Sequence, residues 1–375
     1  MIRAALIAAA LSPLHVYSSL PLHGPAASES ADIVRAERLA LEEAGSPVEL
    51  IALDDSTKAA GGWDPGATAA NARRAGQDEH AIAYLGESNS GASAVSIPIL
   101  NQQGLLQVSP VNAYVGLTRR EAAERGEPGV YYPSGNRTFG RVGPADHLQA
   151  DAIATLLASL GIKCVLLLDD AEIYGAGMAK MIRRRALAHG IAVRGPNHVE
   201  GAGGARRLVK RAHANAMVFG GITANHATRI FAAAHRAAPR MTLVGGTGVA
   251  EPGFTRRLTR GAARRTLVTN APLAAPAYPA AGQAFFGAFA ARYGHAPDPY
   301  AIFGYEAMSV VLGAIGAGAG DRQATIDAFF ATRDRDSVLG RYSIDANGDT
   351  TLSTYGVYRI QNRRLVFDRV VDSST

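Results

Sequence analysis

Short apolar runs alternate with longer helical patterns along most of the chain, and this alternation limits the fold more than any other feature. Nine runs predict strands: His15–Leu20, Val48–Leu53, Ala81–Gly86, Leu105–Ser109, Lys163–Asp169, Ala192–Val199, Met217–Gly220, Thr242–Val244 and Thr266–Asn270. The segments between them predict helices at Glu29–Glu43, Gly66–Gln77, Ala92–Gln103, His147–Leu160, Gly177–His189, Arg206–Ala214 and His226–Ala237. Apolar strands that alternate with helices are typical of parallel sheets covered on both faces. We therefore predict an α/β fold.

The number of strands favours two α/β lobes over one doubly wound sheet. The chain has 375 residues, and domains usually take roughly 100–200 residues each. Residues 122–136, rich in Gly and charge, indicate one passage between lobes, and residues 267–272 indicate a second. The last third predicts helices and then a β-rich tail: helices Gln283–Tyr293, Tyr300–Gly316 and Arg322–Thr332, and strands Gly340–Ile344, Ser353–Ile360 and Arg364–Val371.

The charge of the chain does not indicate a nucleic-acid partner. The formal net charge is +6, and only four of the 38 basic residues are lysines. The arginine clusters lie on predicted helix faces without interleaved aromatic residues for base stacking, so a solvated surface is the better interpretation. No run of about 18 apolar residues predicts a membrane span.

The first thirteen residues predict a leader segment of minimal length. Met1–Arg3 forms a charged start, and Ala4–Leu11 forms a short apolar stretch. Pro13 interferes with cleavage after Ser12, so the sequence leaves open whether the leader is removed.

Enzyme and metal motifs are missing from the sequence. Residues 86–91 miss the G-x-S-x-G spacing by one residue, and neither a P-loop nor a G-x-G-x-x-G follows any predicted strand. The pairs Asp54–Asp55 and Asp169–Asp170 could act as bases, but after parallel strands such acids more often cap loops or line a ligand cleft. Asp345–Asp349 begins like a calcium loop but lacks the later ligands, which indicates a hairpin turn. We expect no catalytic residue, metal or cofactor.

One segment favours a binding function. The strand Ala81–Gly86 ends in Glu87-Ser88-Asn89-Ser90-Gly91, and a helix follows. Hydroxyls and free N–H groups at a helix start can hold a carboxylate, because the helix dipole and unpaired donors both favour an anion. The alternative is that Asn89 or Ser90 only caps the helix.

An ordered set of short motifs resembles a known family. The set runs from about residue 14 to the end and comprises Ser18-Ser19-Leu20-Pro21-Leu22-His23-Gly24-Pro25, Asp54-Asp55, Gly86-Glu87-Ser88-Asn89-Ser90, Val108-Ser109-Pro110, Leu117-Thr118, Asp169-Asp170 with Tyr174-Gly175-x-Gly177, Phe219-Gly220-Gly221, Leu267-Val268-Thr269 and Gly340-x-Tyr342-x-Ile344-Asp345-x-Asn347-Gly348. Together these resemble the type I periplasmic binding proteins, specifically the leucine/isoleucine/valine-binding branch that serves ABC importers.

The resemblance implies two lobes joined by three hinge crossings, with ligand held between them. Lobe 1 would be residues 14–133 plus 267–336, and lobe 2 residues 134–266 plus 337–375. The implied ligand-binding residues are Ser88, Asn89, Ser90, Val111, Asn112, Ala113, Tyr174, Ile222 and Thr247, where Ser90 and the loop of residues 111–113 hold a ligand carboxylate and Tyr174 covers the ligand.

Three positions depart from the family pattern. Ala113 stands where relatives usually have a threonine, Ile222 where a tyrosine is expected, and Thr247 where an acid pairs with the ligand's ammonium group. Without that acid a charge-assisted hydrogen bond worth ~1.5–3 kcal/mol is lost. A carboxylate, an amide or another neutral polar solute therefore fits as well as an amino acid.

The leading hypothesis is an exported receptor of an ABC importer, located in the periplasm or outside the cell. Its expected partners are a small solute and a membrane permease, and we expect a monomer that does not bind nucleic acid. The alternative is a sensor module that reports ligand occupancy to a regulatory partner. An enzyme on a doubly wound fold is the third hypothesis, against which the missing motifs argue.

Overall fold

The computed structural model describes residues 13–120 and 123–373, so almost all of the predicted leader lies outside the described residues. Strands of the described chain are β1 His15–Leu20, β2 Glu49–Asp54, β3 Ser56–Thr57, β4 Gly62–Trp63, β5 Ala81–Gly86, β6 Leu106–Ser109, β7 Phe139–Arg141, β8 Cys164–Asp169, β9 Ala192–His198, β10 Ala216–Gly220, β11 Thr242–Gly245, β12 Thr266–Asn270, β13 Arg335–Ser337, β14 Gly340–Tyr342, β15 Thr354–Gln361 and β16 Arg364–Asp372. Its helices are α1 Ala27–Ala44, α2 Pro65–Gln77, α3 Ser90–Gln102, α4 Asp146–Ser159, α5 Ile173–Ala188, α6 Ala202–Ala212, α7 Ala227–Ala237, α8 Pro252–Thr255, α9 Arg260–Arg265, α10 Ala280–Tyr293, α11 Ala301–Ala317 and α12 Arg322–Phe330.

The first sheet has five parallel strands in the order β2-β1-β5-β6-β7. Successive side chains of a strand point to opposite faces, and both faces of β1 are buried. Val16 packs in one core with Ile33 of α1 and Met308 of α11, whereas Tyr17 packs in another with Ala72 of α2 and Leu100 of α3. The prediction of a parallel sheet covered on both faces is confirmed for this half.

The second sheet has seven strands in the order β16-β15-β12-β11-β10-β8-β9. The strands from β8 to β12 are parallel, and the β15–β16 hairpin joins them antiparallel at β12. Val165 packs with Ile182 of α5, whereas Leu166 packs with Phe231 of α7 on the opposite face. This half is also a covered α/β layer, as predicted.

The chain passes between the halves at three places, each further along than the predicted boundaries at 134, 267 and 337. β7 pairs with β6 in the first sheet, so the first passage is at residues 142–145. β12 pairs with β11 in the second sheet, so the second passage follows residue 270. The turn at 345–349 binds β7 of the first half through Arg141 N–H, which donates to Gly348 O at 2.9 Å, so the third passage is at 351–353. The predicted boundaries were those that the resemblance implies, and a three-residue strand such as β7 gives no periodic signal that could have corrected them.

The turn at residues 345–349 is the hairpin turn that the sequence predicts. Asp345 N–H donates to Asp349 O at 2.9 Å, and Ile344 forms an antiparallel bridge with Thr350. Its carboxylates bind arginines, since Asp349 pairs with buried Arg141 at 2.8 Å and with Arg119 at 2.5 Å. A buried guanidinium requires such a partner, so the turn is fixed to the first half.

Across residues 13–120 and 123–373, no helix combines the length and the apolar character that crossing a membrane requires.

Candidate functional site

A cleft lies between the halves, where the carboxyl ends of their parallel strands face each other. It encloses about 720 Å³ of empty space, including its open mouth. The loops after β1, β5 and β6 line one wall, and those after β8, β10 and β11 line the other. Ligands of open α/β sheets bind at such strand ends.

All nine residues predicted to bind ligand line this one cleft: Ser88, Asn89, Ser90, Val111, Asn112, Ala113, Tyr174, Ile222 and Thr247. They come from five loops and from both halves of the molecule. The structure therefore brings the predicted set together, and contact with a ligand stays a prediction.

The start of α3 offers hydrogen-bond donors to the cleft. Asn89, the residue before the helix, has extended backbone angles and makes no capping hydrogen bond with its side chain. Ser90 does not cap the helix either, because its Oγ accepts from Tyr114 N–H at 3.3 Å. The Ser90 hydroxyl can still donate, and the first N–H groups of a helix have no partner within the helix. The capping alternative is therefore wrong for both side chains, and the helix start is open to an anion.

The loop after β6 adds one backbone donor. Ser109 Oγ accepts from Val111 N–H at 3.2 Å and from Asn112 N–H at 3.0 Å, which fixes the turn. The Asn112 side chain donates to Glu87 O at 3.1 Å and so joins this loop to the loop after β5. The Ala113 N–H makes no hydrogen bond within the described residues. Asn112 thus positions the loop, and Ala113 supplies the free donor.

Trp63 covers the start of α3, although sequence reasoning missed it. It lies on the two-stranded β3–β4 hairpin, in which Ser56 pairs with Trp63. A Cβ atom on Gly91 would lie 2.7 Å from the Trp63 ring. Glycine at position 91 therefore lets the indole reach the helix start and shield it from water.

Tyr174 and Thr247 of the second wall both form hydrogen bonds with neighbouring groups. The Tyr174 hydroxyl accepts from Gly248 N–H at 3.3 Å, and its ring is largely buried. Thr247 Oγ1 donates to Gln149 Oε1 at 3.2 Å and accepts from the Tyr300 hydroxyl at 3.4 Å. Thr247 brings no negative charge to the cleft.

The predicted bases Asp54 and Asp170 hold loops. Asp170 Oδ2 accepts from Ile222 N–H at 2.9 Å and from Asn225 Nδ2 at 3.1 Å, so it fixes the loop that presents Ile222. Asp54 Oδ1 accepts from Leu22 N–H at 2.9 Å, and its other oxygen pairs with His23 at 2.5 Å. Both acids position the rim of the cleft.

Asp55 and Glu87 form an acid pair buried in the first half, outside the residues that line the cleft. Tyr84 donates to Glu87 Oε1 at 2.6 Å. Burial raises the pKa of Asp55 to about 7, and burial together with the charge of Asp55 raises the pKa of Glu87 well above its usual range. A proton on this pair removes the charge that burial disfavours.

Two acids that line the cleft were missed by the sequence analysis. Glu29 lies in the first turn of α1, and Glu251 directly precedes α8. Their exposed fractions are only 7% and 8%. Burial raises the pKa of Glu251 to about 7 and, together with the charge of Glu251, raises the pKa of Glu29 well above its usual range. Sequence position gave no signal, since an acid in a first helical turn is common.

Glycines lie where the two halves contact each other beside the cleft. A Cβ on Gly177 of α5 would clash with the Tyr114 ring of the first half, and a Cβ on Gly253 of α8 would clash with Pro25. A Cβ on Gly62 would lie 3.5 Å from Ala224. Glycines thus allow the two walls to approach closely.

In the described part of the chain, no group of three or more His, Cys, Asp or Glu side chains is arranged to hold a metal ion.

Comparison with known proteins places this architecture among binding proteins. The family model described as periplasmic binding protein matches residues 18–364. A leucine binding protein from Thermotoga maritima has a similar structure (TM-score 0.83, 21% identity, covering 96% of this chain and 99% of that one). So does a branched-chain amino acid transporter substrate binding protein from Streptococcus pneumoniae in complex with isoleucine (TM-score 0.78, 20% identity, 96% and 99%).

An ABC transporter solute binding protein from R. palustris in complex with benzoate is similar as well (TM-score 0.78, 17% identity, covering 96% of each chain). None of the curated protein sequences matches this chain. At these identities the structural likeness establishes the fold.

Proposed function

The chain belongs to the periplasmic binding protein family, and from this premise we propose that it is the extracytoplasmic receptor of an ABC importer. In this proposal its two halves close over a small polar solute, and the closed form docks on a membrane permease. The protein acts outside the cytoplasm as a monomer, and it binds its solute without converting it.

One observation carries the proposal. Nine residues from five separate loops, together with the uncapped start of α3, surround a single cleft between the halves. Few convergent polar groups in a largely closed cleft are typical of a small-molecule binding site.

The donors of the first wall favour a carboxylate on the solute. Within the described part of the chain, the Ser90 hydroxyl, the N–H groups at the start of α3 and the Ala113 N–H have no acceptor of their own. Anions bind at helix starts because dipole and donors act together. The solutes named for the similar proteins, leucine, isoleucine and benzoate, all carry a carboxylate.

A thermal-shift screen tests the proposal. The panel contains amino acids, their deaminated analogues, aromatic acids, amides and ureas. A solute at about a hundred times its Kd stabilises the folded protein by ~2.7 kcal/mol. Hits are then titrated by calorimetry against wild type, Ser90→Ala and the exposed control Ser159→Ala. If no solute shifts the melting temperature, or if both variants bind as wild type does, the proposed site is wrong.

A further inference from the structure

The cleft carries two carboxylates that the proposed carboxylate anchor leaves unused. Glu29 comes from α1 of the first half and Glu251 from the start of α8 in the second, and both line the cleft. Each side chain is more than nine-tenths buried. The negative charge of Glu251 acts on Glu29, so the two acids face a common region between the halves.

Among the described residues, no cationic side chain lies within ion-pair distance of either acid. Glu29 Oε2 is buried without a hydrogen-bond partner within the same residues. The charges of Glu251, Asp298 and Asp32 act on Glu29, and all three disfavour its ionised form. Glu251 faces Asp298, and only Arg257 and the Thr223 hydroxyl favour its charge. Buried acids without a partner are rare, because charge is costly to remove from water.

We propose that Glu29 and Glu251 together bind a cationic group of the solute, a protonated amine or a guanidinium. The solute is then an amino compound that carries a carboxylate at the α3 end and a positive charge between the two acids. This inference deepens the proposed function and rests on it.

Glu29 and Glu251 supply the negative charge that Thr247 lacks. The acid implied there by the resemblance is replaced by a hydroxyl that is bonded to Gln149 and Tyr300. The charge of Glu29 acts on Tyr300, so Glu29 lies close to the same corner of the cleft. Because one acid comes from each half, a cation between them attracts both walls and favours closure.

We expect that binding of a cation by the two acids releases protons. Burial raises the pKa of Glu251 to about 7, so this acid is partly protonated near neutral pH, and burial together with the charge of Glu251 raises the pKa of Glu29 well above its usual range. A bound cation favours the ionised carboxylates and expels their protons. Affinity for an amino solute therefore rises as the pH increases from 6 to 8, whereas that for its deaminated analogue does not rise.

Matched solute pairs test the proposal on the whole protein. The probes are leucine with 4-methylpentanoate, 5-aminopentanoate with pentanoate, and arginine with norvaline, which lacks the guanidinium group. Each is titrated by calorimetry in phosphate and in Tris. We expect the more cationic member of at least one pair to bind tenfold tighter or better, with a proton released to the buffer. Glu29→Gln and Glu251→Gln each reduce that preference about tenfold.

Glu37→Gln is the matched control, since Glu37 is a buried acid on the same helix that does not line the cleft. It leaves the preference unchanged. The inference is overturned, and the proposed function stands, if acids bind as tightly as their amino partners or if both glutamine variants retain the preference. Binding by no probe, with no solute released from denatured protein in mass spectrometry, overturns the proposed function and the inference with it.

Discussion

Replacing Glu37 by glutamine is expected to change how the stability of the protein depends on pH. Glu37 lies on α1 with no exposed surface, and neither of its carboxyl oxygens has a hydrogen-bond partner within the described residues. Burial raises its pKa to about 8, which the Ser18 hydroxyl and the charge of Arg38 offset only in part. The Glu37→Gln variant keeps the shape of the side chain and removes its titration.

The sign and size of the effect follow from the two pKa values. The unfolded chain loses the Glu37 proton near pH 4.5, whereas the folded protein keeps it until about pH 8. Between these values the folded state binds more protons, so its stability falls as the pH rises. At 1.36 kcal/mol per pKa unit, the full loss is on the order of 5 kcal/mol, of which somewhat less falls between pH 5 and pH 8. Between pH 5 and pH 8, the free energy of unfolding of Glu37→Gln should therefore rise by up to about 4 kcal/mol relative to that of wild type.

The assay is urea unfolding of both proteins at pH 5, 6, 7 and 8, followed by circular dichroism. Asp146 is another fully buried acid, and burial raises its pKa to about 8, but its contribution is the same in both proteins and cancels in the difference. The control is Glu42→Gln on the exposed face of α1, where Glu42 pairs with Arg292 at 3.1 Å. That exposed pair should contribute less than ~1 kcal/mol. A wild-type minus Glu37→Gln difference that is equal at pH 5 and pH 8 would refute the reasoning.

Three further predictions concern the cleft and the hinge. Ser90→Ala should weaken binding of a carboxylate solute by ~1–3 kcal/mol, because a buried donor is lost; an unchanged Kd in calorimetry would remove Ser90 from the site. Gly177→Ala places a methyl group against Tyr114 and should keep the halves apart, so that solute affinity falls and X-ray scattering shows no contraction when solute is added. Alanine suits a helix better than glycine by up to ~1 kcal/mol, so a loss of stability instead would contradict this explanation. Asp349→Ala leaves buried Arg141 without its partner and should cost ~3–5 kcal/mol in urea unfolding; a cost below about 1 kcal/mol would show that the pair is dispensable.

Lowering the pH should reduce the contribution of Asp349 to stability, whereas it removes the destabilising effect of Glu37. Burial alone would raise its pKa, but the charges of Arg141 and Arg119 hold the pKa below its usual range. Its contribution to stability is therefore complete above the ordinary pKa of an aspartate and is lost as the pH falls through the lowered value.

The repeating strands and helices could be predicted because each carries a periodic apolar signal. The strands β1, β5 and β12 lie where the sequence places them, and the long helices α1 and α11 differ only at their ends. The short elements could not be predicted, since β4 has two residues and β7 has three. These lengths give no period, and β7 moved the first passage between the halves.

The residues of the site also fall into those that could be predicted from the sequence and those that could not. Ser90 and Ile222 follow strands of different sheets, so strand order alone could not group them, and it was the family resemblance that placed both in one site. Glu29 and Glu251 are far apart in sequence, and both line the cleft only because the fold places the starts of α1 and α8 beside it. Nothing local distinguishes either acid from an exposed one.

The turn at 345–349 restricts how the molecule can move. Arg119 and Arg141 attach it to the first half, and only residues 351–353 separate its last bridge from β15 of the second half. Three extended residues span at most about 10 Å. This short tether should let the halves rotate about it while limiting how far they slide or pull apart at this place. In the proposed function, solute would therefore enter and leave where the cleft lies farthest from the tether and opens widest.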